Sequence, residues 1–252
     1  MGKIRFLWDN EFDGGTFTSS TANANFPASN VQHRWWGKAW RSTVDTDPQW
    51  LKNDLGATPL IQAAAIKYNN FSAGATILLE GDNADNFAPS SYDEEMDVDN
   101  DVMALYLDEE QDTLDWWRIK ISDDANVDGI IKVGRVFLGP YFEPKHSYAP
   151  GGGRMDSDDL ALIVGGENGH LSGIINENLA VFRYTFILMT PADIAVVNAM
   201  FEEHRCLGGF FFTEDSDNPT TTTYYVRFAE KPRIALRQSG YGDVTITLAE
   251  AM

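Results

Sequence analysis

The sequence predicts a mainly β protein of two lobes, the second carrying a single helix. Three features carry that prediction. Apolar residues come in short runs, several with a period of two, rather than in long helical stripes. Clusters of Gly, Pro, Asn and Asp separate these runs. Only one segment, near residues 191–206, combines the start, stripe and stop signals of a helix.

The elements follow in order. Leu60 to Tyr68 is an apolar run, and Thr76 to Leu79 follows a Ser-Ala-Gly break. Trp116 to Ile121 alternates, with Trp117, Ile119 and Ile121 on one face and Trp116, Arg118 and Lys120 on the other. Ile130 to Leu138 gives a further strand, interrupted by Gly134. Between these, Asp82 to Gln111 is acidic and turn-rich, and it reads as long loops around a short strand, Val102–Leu107. Pro144 to Asp159, with Gly151, Gly152 and Gly153, reads as a flexible connection, so the lobes are expected at 1–147 and 148–252. Val181 to Met189 is expected to place Phe182, Tyr184, Phe186 and Leu188 on one face. Thr190 then suits a helix N-cap, Pro191 the first helical position and Asp193 the positive dipole end. Ile194, Val197 and Phe201 form its stripe, and Gly208-Gly209 ends it. Strands are expected at Phe210–Phe212, Tyr224–Ala229, Ile234–Leu236 and Val244–Leu248.

Bulk properties narrow the classes. Of 252 residues 43% are hydrophobic, enough for a sizeable core. No run approaches the roughly 20 apolar residues of a membrane span. The N-terminus turns polar too early for a secretory signal. A single cysteine, Cys206, excludes an intrachain disulfide and fits synthesis in a reducing cytoplasm. The net charge is −19, and residues 80–130 hold 17 acidic and 2 basic side chains. A surface this acidic repels phosphate backbones, so no nucleic-acid partner is expected.

Several segments resemble a known family. Trp40-Arg41-Ser42, followed by Gln49 to Gly56 ending in Asp54-Leu55-Gly56, resembles the opening of discoidin-type (coagulation factor C-like, galactose-binding-fold) domains. Ala64 to Ser72, Ala75 to Gly81, and Trp117 to Gly129 running into Ile131 to Gly139 are similar to later strands of that fold. The resemblance spans about residues 26–140 and implies a discoidin-like jelly-roll β-sandwich, here without the cysteine pair that many sugar-binding members carry. The second lobe, a β-rich domain with one helix, resembles distal-tail and related baseplate ring components of long-tailed bacteriophages. This resemblance implies a structural virion protein of the tail tip, assembled in the host cytoplasm. It would form a homo-oligomeric ring (a hexamer, with a trimer as alternative) and contact tube and hub proteins. The alternative it leaves open is a carbohydrate-binding module that attaches to host-surface glycan.

No catalytic constellation is expected. His204 and Cys206 stand two apart, which on a helix separates them by about 200°. No serine sits in a nucleophile elbow, and His33, His146 and His170 lack metal-ligand spacing. Gly151-Gly152-Gly153-Arg154 and Gly165 to Gly169 are not phosphate cradles. Asp93 to Asp101 looks calcium-like, but an EF-hand starting at Asp97 would put Val102 and Asp108 where Gly and Glu belong. No cofactor is therefore expected, with Ca²⁺ in the acidic loops as the alternative. The candidate contact residues are Trp35 and Trp36: on a strand, one would face the core and the other a sugar or a neighbouring subunit.

Overall fold

The structure, a computed structural model, describes residues 2–46, 48–99, 101–158, 162–165, 171–174, 179–237 and 240–251, with side chains described outside 154–179. Two compact units result. The first is Met1–Glu143 with Phe210–Tyr225; the second is Pro144–Gly209 with Val226–Ala251. Where sequence composition places a boundary at 147/148, the packing divides at 143/144 and groups Phe210–Tyr225 with the first unit. Gly166 to His170, Asp159 and Asn100 lie outside the described residues.

The first unit is a sandwich of two antiparallel sheets. Ahead of it β1 (Arg5–Leu7) pairs outside both sheets, antiparallel with Phe211–Thr213, and the sandwich strands are β2 (Thr16–Ser19), β3 (Trp40–Arg41), β4 (Gln49–Asp54), β5 (Ile61–Asn69), β6 (Thr76–Asp82), β7 (Tyr92–Met96), β8 (Val102–Gln111), β9 (Trp116–Ser122) and β10 (Lys132–Gly139). One sheet runs β3-β10-β5-β8, the other β2-β4-β9-β6-β7. Their inner faces meet in one core. Trp40, Ala64, Ile66, Val136 and Leu138 come from one side, and Leu51, Ile77, Leu79 and Trp117 from the other. Within the first sheet Ala64 stands opposite Leu138, a small residue facing a large one, and Ile66 opposite Val136, two β-branched residues. The alternation expected of Trp116 to Ile121 is present: Trp117, Ile119 and Ile121 are buried, while Trp116, Arg118 and Lys120 are only partly covered. Burying such a face stabilises by about 25 cal/mol per Å² of apolar surface removed from water.

The acidic stretch departs from expectation. Tyr92–Met96 is a strand, paired antiparallel with β6 at the sheet edge, and β8 runs on to Gln111. Sequence reasoning reads these residues as loop because charge masks their alternation. At an edge, carboxylates facing solvent are compatible with a strand and deter further pairing.

In the second unit, β11 (Gly153–Asp158), β12 (Leu162–Gly165), β13 (Leu171–Ile174) and β14 (Leu179–Met189) precede α1 (Pro191–His204). The chain then continues through β15 (Phe210–Thr213) and α2 (Pro219–Thr222), both in the first unit, to β16 (Thr223–Phe228), β17 (Arg233–Leu236) and β18 (Gly242–Glu250). β14 lies between β11 and β18, and β18 pairs on its other edge with Val226–Phe228 and with β17. Gly153–Asp158, expected within a flexible connection, is thus a paired strand. Phe182, Tyr184 and Phe186 are buried as expected, but Leu188 is not. It adopts φ 56°, and the β14–β18 register shifts between Phe186 and Met189, so Met189 takes the inward place. α1 starts on a capping box: the Asp193 N–H donates to Thr190 Oγ1 at 3.1 Å, and the Thr190 N–H donates to Asp193 at 3.4 Å. Its stripe of Ile194, Val197 and Phe201 is buried. Arg205 at φ 52° closes the helix three residues before Gly208, and Cys206 falls beyond it.

Truncating Trp117, which is fully buried in the sandwich core, is expected to cost about 3–5 kcal/mol. Urea unfolding of Trp117→Ala measures this, and a loss under about 1 kcal/mol would contradict the packing described.

Candidate functional site

Trp35 and Trp36 lie on a turn, not on the strand that sequence reasoning assumes. The turn is closed by the Lys38 N–H donating to the Trp35 carbonyl at 3.0 Å. The two indoles have different surroundings, and neither lies in the core. Trp36 packs on Tyr68, with ring centroids 5.3 Å apart, and Lys67 Nζ lies 5.7 Å from its ring centre. Trp35 is 65% exposed, in a chain whose other large aromatics are mostly covered.

The turn is held from below. Arg135 of β10 is buried, and its guanidinium donates to the Gln32 carbonyl at 2.6 Å and to both carboxylate oxygens of Asp13. Asn30 Nδ2 donates to the Ala39 carbonyl at 3.0 Å, and the Tyr225 hydroxyl to the Arg34 carbonyl at 2.8 Å. Gly134 lets the backbones meet: a Cβ there would lie 2.6 Å from the Lys67 carbonyl oxygen and 2.8 Å from that of Trp36. An isolated glycine inside a strand signals such an approach.

Polar groups surround the exposed ring. The His33 imidazole lies 5.3 Å from the Trp35 ring, and its Nδ1 accepts the Trp35 N–H at 3.2 Å. Lys38 Nζ is 5.7 Å from the Trp35 ring centre and 3.2 Å from His33 Nε2. Desolvation holds the His33 pKa below its ordinary value, helped by the charges of Lys38 and Arg135. Sequence reasoning finds the tryptophans but misses His33 as a neighbour, Lys38, Tyr68 and Arg135.

The other candidates are arranged differently. Asp99 accepts the Asp101 N–H at 2.8 Å, Asp101 pairs with Lys67, and Glu94 accepts the Tyr92 hydroxyl. Among the described residues, no three His, Cys, Asp or Glu side chains gather in a metal-holding group.

No protein-family model matches the chain. No curated protein matches it either. Solved structures do. Chitosan-binding module 1 of a chitosanase/glucanase from Paenibacillus sp. IK-5 is 16% identical, with a TM-score of 0.42, over 52% of this chain and 98% of the module. A fucose-binding module of Streptococcus pneumoniae is 14% identical, with a TM-score of 0.40, over 52% and 94%. The family 32 carbohydrate-binding module of C. perfringens NanJ, solved with galactose, is 16% identical, with a TM-score of 0.40, over 55% and 99%.

The His33 resonance is expected to titrate with a midpoint below the ordinary value of about 6.5, leaving the ring neutral at about pH 7. A proton NMR titration checks this; a midpoint at or above about 6.5 would show that its surroundings differ.

Proposed function

We propose that the first unit is a non-catalytic carbohydrate-binding module whose contact is the Trp35 turn. One observation carries the reading: a tryptophan 65% exposed on a turn fixed by hydrogen bonds from Arg135, Asn30 and Tyr225. An indole face is suited to the C–H face of a pyranose, and a fixed ring loses little freedom on binding. His33 adds a polar group at its margin. Trp35→Ala is expected to weaken binding to a glycan found on an array by about tenfold or more, as about 1.4 kcal/mol is tenfold. Undiminished binding by a folded Trp35→Ala chain would remove the reading.

A second reading, assembly into a phage tail-tip ring, draws on an observation in the second unit. Leu188, Leu236 and Tyr241 are exposed, and Leu236 and Met189 both stand opposite Gly242 at one end of the sheet. An apolar cluster of this kind is suited to a subunit contact. Light scattering is expected to give a discrete oligomer that Leu236→Asp reduces towards monomer. A monomer at all concentrations would count against self-assembly.

A further inference from the structure

We propose that the Trp35 turn selects saccharides bearing a carboxylate over their neutral counterparts. This selectivity rests on the carbohydrate reading above and names the substrate class of the same site.

Charge is the first observation. Residues 14–44 contain no Asp or Glu but do contain Arg34, Lys38 and Arg41, in a chain of net charge −19. Arg34 and Lys38 are exposed, and neither forms an ion pair with a carboxylate among the described residues. Most of the other cations among the described residues are paired with acids of the chain, as Lys67 is with Asp101 and Lys132 with Asp128.

Hydrogen-bond geometry is the second. The Trp35 N–H is fixed by the turn, so His33 Nδ1 must accept and its proton must sit on Nε2 in the neutral ring. Nε2–H then faces the Lys38 ammonium 3.2 Å away, so two donors meet. A carboxylate oxygen placed beside both would receive a hydrogen bond from each, while the sugar ring lies against Trp35. Charge-assisted bonds of this kind are stronger than those a hydroxyl makes.

The test compares the full chain's affinity for oligogalacturonate and for the same oligomer after carboxyl reduction, by calorimetry at low and high salt. The acidic oligomer is expected to bind about tenfold tighter at low salt, with the preference shrinking as salt rises. Lys38→Met is expected to bring the ratio towards one, and the acidic oligomer to raise the His33 titration midpoint. Equal affinities in the wild-type chain, or binding to neutral glycans alone, would overturn charge selection and leave the carbohydrate reading standing. Binding to neither oligomer, nor to any glycan on a broad array, would remove that reading as well. Equal binding to single-stranded DNA, or a preference for a sulfated oligomer, would overturn the carboxylate assignment.

Discussion

Arg135 carries a buried guanidinium, and the shape of the candidate site follows from how that charge is satisfied. Its donors reach Asp13 on one side and the Gln32 and Val31 carbonyls on the other. Hydrogen bonds to a charged group contribute about 1.5–3 kcal/mol each when their partners are withdrawn from water. They fasten the short helical turns Glu11–Asp13 and Ala28–Gln32 to β10. The next residues of the chain, His33 to Lys38, therefore start from a fixed point. Gly134, one residue before Arg135, lets the turn approach the sheet closely enough for Trp36 to settle on Tyr68. Trp35, with no such seat, faces solvent.

Some of this is legible in the sequence, and the rest is hidden for identifiable reasons. The β9 alternation and the Thr190–Asp193 cap are local, so they can be read directly. The β7 strand cannot, because an edge strand of Tyr-Asp-Glu-Glu-Met lacks the apolar period that marks a half-buried one. Leu188 departs for a different reason: a shift in register is set by pairing with β18 and leaves no mark in β14 itself. At the site, the adjacent tryptophans stand out. Strand geometry predicts one of them in the core, whereas on the turn Trp35 is exposed and Trp36 is only partly buried, against Tyr68. Arg135 is invisible as a support because its partners lie more than 100 residues away. Gly134 is the available clue, since its interruption of β10 marks the place where the turn comes close.

Two physical tendencies divide the molecule's surface. Carboxylates dominate residues 80–130, where they favour solubility and deter pairing at the β7 edge. The acid-free stretch 14–44 places Lys38 beside an exposed ring. The charged neighbour of the Trp35 ring is thus a cation, Lys38. In the second unit the exposed Leu188, Leu236 and Tyr241 are apolar, which suits a protein contact better than a sugar.

The most direct test follows the tryptophan indole N–H resonances by ¹⁵N NMR while a bound oligosaccharide is titrated in. The Trp35 signal is predicted to shift progressively while those of buried Trp40 and Trp117 stay in place. Saturable binding that leaves Trp35 unmoved would contradict its role as the sugar contact.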